Sequence, residues 1–486
     1  VIPGQPPGPA LLVHGGTLLP CSPDLPSAVR GWFTVGADGR IDRLEAGDPP
    51  PGLRARERLD ATGMLVAPGF VSSHSHLFTS AGRGLAHDAS LYRWIDESVR
   101  HVRAADAEDL YWFARHGAQD VLLAGVTTAY DHCFSGLGFR RTGDGEAAYV
   151  EELPDPALHL AQLRGKLDAG LRHVQSTMLG QTPDPEDTLT HLGEQLELTR
   201  AAAAGSDLHL GSSVSGSVQW AAGPATAELE AEAMRRYGLS NQPHLLETPH
   251  AIEEQRVKWS WYRDAGVLSG DLAARLVLGH FIHADDAMVA EAGEAGAAVS
   301  WQPMSNGRLA SGVTRIPELR AAGVRLGMGV DDQSCTDVVD PFSNLRTGLA
   351  LVRATYRDPA ALGVEEALLL HTRGAADAIG VADDVGSLTP GRFADFLLVD
   401  PRHPDTGPVW DPVATYVLAC SLRNLAGVWV GGRQVASGTF LLAEDAAEAS
   451  REVHSRMARL AARVDGHVPF DVPLTRRSRQ PEGAAR

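Results

Sequence analysis

Residues 65–77 read LVAPGFVSSHSHL, an apolar run that ends on two histidines two positions apart. A buried strand carrying chemistry at its C-terminal end has this form. On a strand, side chains at i and i+2 share a face, so His74 and His76 could bind one ion. With 19 histidines in 486 residues, a chance His-x-His is expected about once, so the pair alone carries little weight. Seven further runs of strand length follow: GVTTAYDH (125–132), LRHVQSTM (171–178), DLHLGSSVS (207–215), PHLLET (243–248), RLVLGHFIH (275–283), AAVSWQP (297–303) and RLGMGVDD (325–332). Helical patterns such as AEDLYWFARHGAQDVLLA (107–124) and TAELEAEAMRRYG (226–238) lie between them. Eight strands in βα alternation predict a (β/α)8 barrel over residues 67–385, with catalytic groups at the C-terminal strand ends.

The flanks have a different texture. Residues 10–66 alternate short strands with turns, including a hairpin-like ADGR at 37–40. The same pattern returns in GSLTPGRFADFLLVDP (386–401) and LAGVWVGGRQVASGTFL (425–441). Segments 1–66 and 386–442 are therefore expected to build one small β-sandwich. Residues 443–486 read as one helix followed by a mobile RRSRQPEGAAR tail.

Charge and composition exclude several classes of protein. Forty-three basic residues against 61 acidic ones leave a net charge of −18, which repels phosphate backbones and anionic membranes. No apolar run reaches membrane-spanning length, and the opening VIPGQPPGPALLVHGG lacks the basic and apolar regions of a secretory signal. Cys21, Cys133, Cys335 and Cys420 form no CxxC and read as reduced thiols. A cytoplasmic enzyme with a small-molecule substrate is expected, without nucleic-acid or membrane partners.

Other strand ends supply His244, His280 and Asp331, which a barrel would gather with His74 and His76 around one axis. Three imidazoles and a carboxylate suit a zinc-like or iron-like ion with an open position for water. Glu247, three residues after His244, is placed to reach that water, although an acid opening the next helix would look the same. His283 is read two ways, as a pocket residue or as a loop histidine bonding backbone. His132 is a pocket candidate, and Trp94 and Trp301 could stack a flat ring or serve as core anchors. Cys335 could contact substrate or simply pack.

PGFVSSHSHL, RGL (83–85), GVTT, HLLET, LGHFIH, QPMSNGRLASG (302–312), GMGVDD and GSLTPGRFADFLLVD occur in one order. In this set the chain resembles the amidohydrolase superfamily. The resemblance is to the mononuclear-metal aminohydrolases that include 8-oxoguanine deaminase, S-adenosylhomocysteine deaminase and atrazine chlorohydrolase. It implies that His74, His76, His244 and Asp331 bind one divalent metal, zinc first and iron second. It also implies that His280 assists the activated water and that Glu247 shuttles the proton. A homodimer is expected. Binuclear branches use a carbamylated lysine at a strand end. The only lysines here are Lys166, in a helical LAQLRGKLDAG, and Lys258. The expected reaction is hydrolytic release of ammonia from an amino-substituted heterocycle, amidine or guanidino compound. The alternatives are expulsion of chloride or an alkylamine, cleavage of an amide or cyclic urea, and a binding subunit without metal.

Three stretches depart from the family pattern. SSVSGSVQWAAGP (212–224) stands where purine-type deaminases carry a PHAPYT-like or PCSPF-like segment. Residues 134–157 form an enlarged loop that would act as a lid or subunit contact. Asp332 follows the ligand aspartate where relatives place a small neutral residue. Asp332 is expected to bind a donor or cationic group of the substrate, unless it caps a helix or pairs with Arg308.

Overall fold

The computed structural model describes residues 9–466 except 138, 143–145, 150–151, 181–183, 439 and 444–445. Eight parallel strands close a barrel: β1 (Phe70–His76), β2 (Val126–His132), β3 (Arg172–Met178), β4 (His209–Ser215), a divided β5 (Ser240–Asn241 and His244–Leu245), β6 (Val277–His280), β7 (Ala298–Trp301) and β8 (Arg325–Met328). Neighbours pair in chain order from β1 to β5 and from β5 to β8. After β8, Asp331 and Asp332 pair with Ser75 and His76 of β1 and complete the ring. This closure requires Gly329, because a Cβ there would lie 2.8 Å from the Cβ, backbone nitrogen and carbonyl oxygen of His74. The main apolar core fills the space between strands and outer helices, with Phe70, Val126, Leu245, Leu278 and Val299 facing outward into it.

The run LVAPGFVSSH does not form one strand. Leu65–Pro68 pairs antiparallel with Phe396–Val399, and only Phe70–His76 enters the barrel. Pro68 lacks a donor N–H and Gly69 follows it, so the chain changes sheets there. The strands from both ends of the sequence join in a ten-stranded network around Phe33, Val66, Phe396 and Trp429. A buried ion pair fastens it to the barrel: Arg172 of β3 donates to Asp395 at 2.8 Å, and Asp395 also accepts from the Gly431 amide at 2.7 Å.

The helices start where the sequence signals them. Asp106 caps Ala107–Leu123 in a capping box with Asp109, and Ala225–Tyr237 ends on Gly238 in the left-handed region. The C-terminal helix Ala446–Asp465 packs Val453, Met457 and Leu460 against Phe78, Val102 and Phe113, which buttresses the loop after β1. The enlarged segment 134–157 contains a hairpin, Phe139–Thr142 with Glu146–Tyr149; residues 138, 143–145 and 150–151 lie outside the described residues, as does the 476–486 tail. All four cysteines are free and buried, and no helix among the described residues is long and apolar enough to cross a membrane.

Candidate metal centre and active site

The C-terminal strand ends bring the expected histidines together. His74 Nε2 lies 3.1 Å from His76 Nε2, which lies 3.2 Å from His244 Nε2. Asp331 Oδ1 is 3.4 Å from His74 Nε2 and 3.8 Å from His76 Nε2. Ligand atoms held about 2.0–2.1 Å from a tetrahedral ion stand about 3.3 Å apart, so the spacing fits a divalent cation. The tautomer fits as well. His74 donates from Nδ1 to Gln242 Oε1 at 2.6 Å, which leaves its Nε2 lone pair directed into the cluster.

His132 lies behind this layer. Its Nε2 donates to the same Gln242 oxygen at 2.9 Å, its Nδ1 accepts from Ser215 at 2.7 Å, and its ring stacks on His76. Both nitrogens are engaged, so it supports the ligands while its ring lines the pocket. Burial, then the neighbouring imidazoles, hold His132 and His244 well below the ordinary histidine pKa. His76 and His280 are lowered to about 3, mainly by burial. Burial thus favours the neutral form of all four, the form in which an imidazole can bind a metal.

His280 ends β6 in the left-handed region at φ 65°, and Asp331 sits there at φ 62°. Strained non-glycine residues of this kind concentrate at functional sites. Asn306 donates to His280 Nδ1 at 2.8 Å, so Nε2 carries the proton, and it has no partner. That Nε2 lies 3.7 Å from Glu247 Oε1.

Glu247 is buried and weakly held, with 3.4 and 3.5 Å contacts to Gln219. Burial, then the charge of Asp331, push its carboxyl well above the usual range, against the Gln219 hydrogen bond. Burial, then Asp331, likewise raise Asp332. Asp331 itself is lowered: burial opposes ionisation, but the surrounding histidines outweigh it.

Asp332 neither caps a helix nor pairs with Arg308. Asp340 caps Pro341–Tyr356, and Arg308 binds Asp337. Trp94 forms part of the pocket wall, with its indole N–H donating to the Ser334 carbonyl at 3.1 Å. Trp301 does not belong to the site. Strand alternation turns Ser300 and Gln302 into the barrel and sends the Trp301 ring outward against Gly348. His283 bonds backbone, donating to the Ser311 carbonyl at 2.8 Å, and is not among the residues lining the pocket.

Gln219, Trp220, Gln242 and Asn306 were not anticipated. Trp220 packs its ring over His244, 5.2 Å between centroids, and together with Gln219 lies in the unusual segment after β4. The departure of that segment from the family pattern was the available signal. Lys166 is also far from an exposed helix position. It is fully buried and ion-paired with Asp131, and its amine lies 3.3 Å from Cys133 Sγ.

The sequence model of the amidohydrolase family matches residues 65–435. The chain is 29% identical over 432 residues to 5-methylthioadenosine/S-adenosylhomocysteine deaminase of Symbiobacterium thermophilum, covering 87% of this chain and 93% of that protein. It is 29% identical over 405 residues to 8-oxoguanine deaminase of Pseudomonas aeruginosa, covering 81% and 87%. In fold it is similar to a zinc-bound adenosine deaminase from Xanthomonas campestris, with a TM-score of 0.80, 20% identity and 94% and 100% of the chains covered. It is also similar to zinc-bound atrazine chlorohydrolase from Arthrobacter aurescens, with a TM-score of 0.76, 19% identity and 92% and 100% covered. With the family motifs occupying the ends of the barrel strands, this chain belongs to the amidohydrolase family.

Proposed function

We propose that the chain is a metal-dependent hydrolytic deaminase that releases ammonia from a small molecule bearing an amino group on an electron-poor carbon of a heterocycle, amidine or guanidino unit. His74, His76, His244 and Asp331 hold one ion, with zinc favoured over iron by the nitrogen-rich donor set. Such an ion supplies a water acidic enough to act as nucleophile at neutral pH. Glu247 enters the reaction as a neutral acid. It delivers its proton to the ring nitrogen beside the attacked carbon and, once ionised, relays a proton to the departing amine. His280 donates from Nε2 to the oxygen on which charge develops, and Asn306 fixes the tautomer that makes this donation available. Gln242 keeps His74 and His132 oriented throughout.

The observation that carries this proposal is the place of Glu247, a buried carboxyl beside the histidine cluster with Oε1 3.7 Å from His280 Nε2, whose pKa burial and then Asp331 push upward. Poised acids of this kind are uncommon outside active sites. The test is a screen of amino-substituted heterocycles and guanidino compounds for ammonia release by the zinc-loaded enzyme. At least one compound should turn over steadily. If all amino compounds are inert while the matched chloro- or alkylamino-heterocycles are hydrolysed, the deaminase assignment is wrong and the same centre expels another leaving group.

A further inference from the structure

The chain has nine tryptophans, and eight of them are buried or half-buried; Trp410 is 90% exposed. Val409 before it is exposed as well, and so is Leu418 in the turn that follows. None of the three lines the pocket above the histidine cluster. A tryptophan removes about 150–250 Å² from water when it finds a partner, so one left on a folded surface forgoes a large apolar gain.

The exposure does not come from a loose loop. Asp411, directly after the tryptophan, accepts from the Ala414 amide at 2.7 Å and opens the short helix Pro412–Ala414, whose Val413 is buried. In the π-helical turn Thr415–Ala419, Tyr416 is buried, and its ring packs 6.0 Å from Phe70 and 5.2 Å from Phe342 between centroids. On the other side, Asn424 donates to the Asp400 carbonyl at 2.9 Å and to Thr406 Oγ1 at 2.8 Å. The chain is therefore fastened both before and after Trp410, and docking there would order little further backbone.

Charge selects the partner. With a net charge of −18, two copies of the chain repel in most orientations, whereas a basic partner is drawn to almost any part of the surface. Around Trp410 the signs balance. Arg402 pairs with Asp400 at 2.8 Å, Arg423 pairs with Asp405 at 3.3 Å, and the third acid, Asp411, is engaged as a helix cap. Such a patch favours neither a cationic nor an anionic partner and is compatible with itself. A two-fold interface requires the same surface on both partners, and an apolar centre with a polar rim is its usual anatomy.

We propose that Trp410 anchors a two-fold interface between two copies of this chain. Val409 and Leu418 add apolar surface to it, and the Arg402–Asp400 and Arg423–Asp405 pairs belong to its rim. The interface is separate from the metal centre and does not depend on the deaminase proposal.

Sedimentation velocity on the zinc-loaded full chain, diluted from micromolar to nanomolar concentration, tests this. The wild type should sediment at twice the chain mass of 51.6 kDa at micromolar concentration. Trp410→Ala should raise the dimer Kd at least about tenfold, and Trp410→Glu should be a monomer throughout. Circular dichroism and zinc content should not change, because an exposed side chain supports neither the fold nor the site. Added salt should leave the dimer intact or tighten it, since screening removes the repulsion between two acidic chains and spares the apolar contact. Phe440→Ala, at another exposed aromatic, is the control and should leave the dimer unchanged. A wild-type monomer at micromolar concentration would overturn the proposal. So would a dimer that survives both Trp410 substitutions, dissociates in salt, or comes apart on Phe440→Ala instead.

Discussion

Asp131 and the pair Glu247 and Asp332 are buried acids at the same mouth of the barrel, and they are treated in opposite ways. Asp131, at the end of β2, is surrounded by partners: it is ion-paired with Lys166, accepts from the Leu77 amide at 2.9 Å, and lies 3.5 Å from Cys133 Sγ. Burial pulls the Lys166 pKa down, but Asp131 and Cys133 outweigh it and leave it raised. Across the pocket, Glu247 has only long contacts to one glutamine, and Asp332 keeps an oxygen bare. Both are pushed toward the neutral acid. The first cluster fixes the backbone directly after His76. The second is short of partners among the protein groups around it. A buried acid thus shows its role by what surrounds it, and substitution should separate the two kinds.

The largest effect is expected at Glu247. Glu247→Gln keeps the shape but cannot move a proton, so kcat should fall on the order of 10²- to 10⁴-fold while metal content and melting temperature hold. A variant retaining more than half of wild-type kcat would remove Glu247 from the reaction.

Next comes Lys166. Lys166→Met removes the cation and leaves Asp131 buried without its counter-charge, which should cost about 3–5 kcal/mol of stability. Denaturant unfolding would measure it. A loss below about 1 kcal/mol, the range of surface pairs, would erase the contrast between the two clusters.

The smallest effect is one of pH. In metal-free protein His76 and His280, lowered to about 3, and His132 and His244, well below the ordinary value, stay neutral while the unfolded chain protonates near 6.5. From about pH 6.5 downward the unfolded state therefore binds more protons. Each histidine then removes up to about 1.4 kcal/mol of stability per pH unit. Glu247 and Asp332, whose folded pKa values are raised, contribute in the opposite sense, losing stability as pH rises. His116, His159, His173, His209, His283 and His371 are lowered as well, and Asp42, Glu230 and Asp395 raised, so lowered histidines outnumber raised acids and the melting temperature of chelated protein should fall between pH 7 and pH 5. A flat or rising profile would contradict the burial of these imidazoles in the neutral form.

Most of the barrel and the gathering of the histidines at its mouth were legible because both depend on patterns that survive in one dimension. Apolar runs mark the strands, and a barrel topology sends their C-terminal ends to one place, so His74, His76, His244, His280 and Asp331 could be gathered without coordinates. The supporting amides could not. Gln242, Asn306 and Gln219 act through hydrogen bonds to one or two histidines or an acid, and nothing in their local sequence distinguishes such an amide from a solvated one. Trp301 illustrates a different gap. Its strand was identified, but the inward-facing register was not, and a shift of one residue decides between pocket and core. In LVAPGFVSSH, the Pro68–Gly69 pair was visible punctuation between two strands that were read as one.

The central claim is a single-ion centre built by His74, His76, His244 and Asp331. Its most direct test is elemental analysis of zinc-reconstituted, desalted protein, comparing wild type with His74→Ala plus His244→Ala. One equivalent of zinc per chain in the wild type, lost in the double variant, is the predicted result. Two equivalents per chain, or zinc content unchanged by the double substitution, would contradict it.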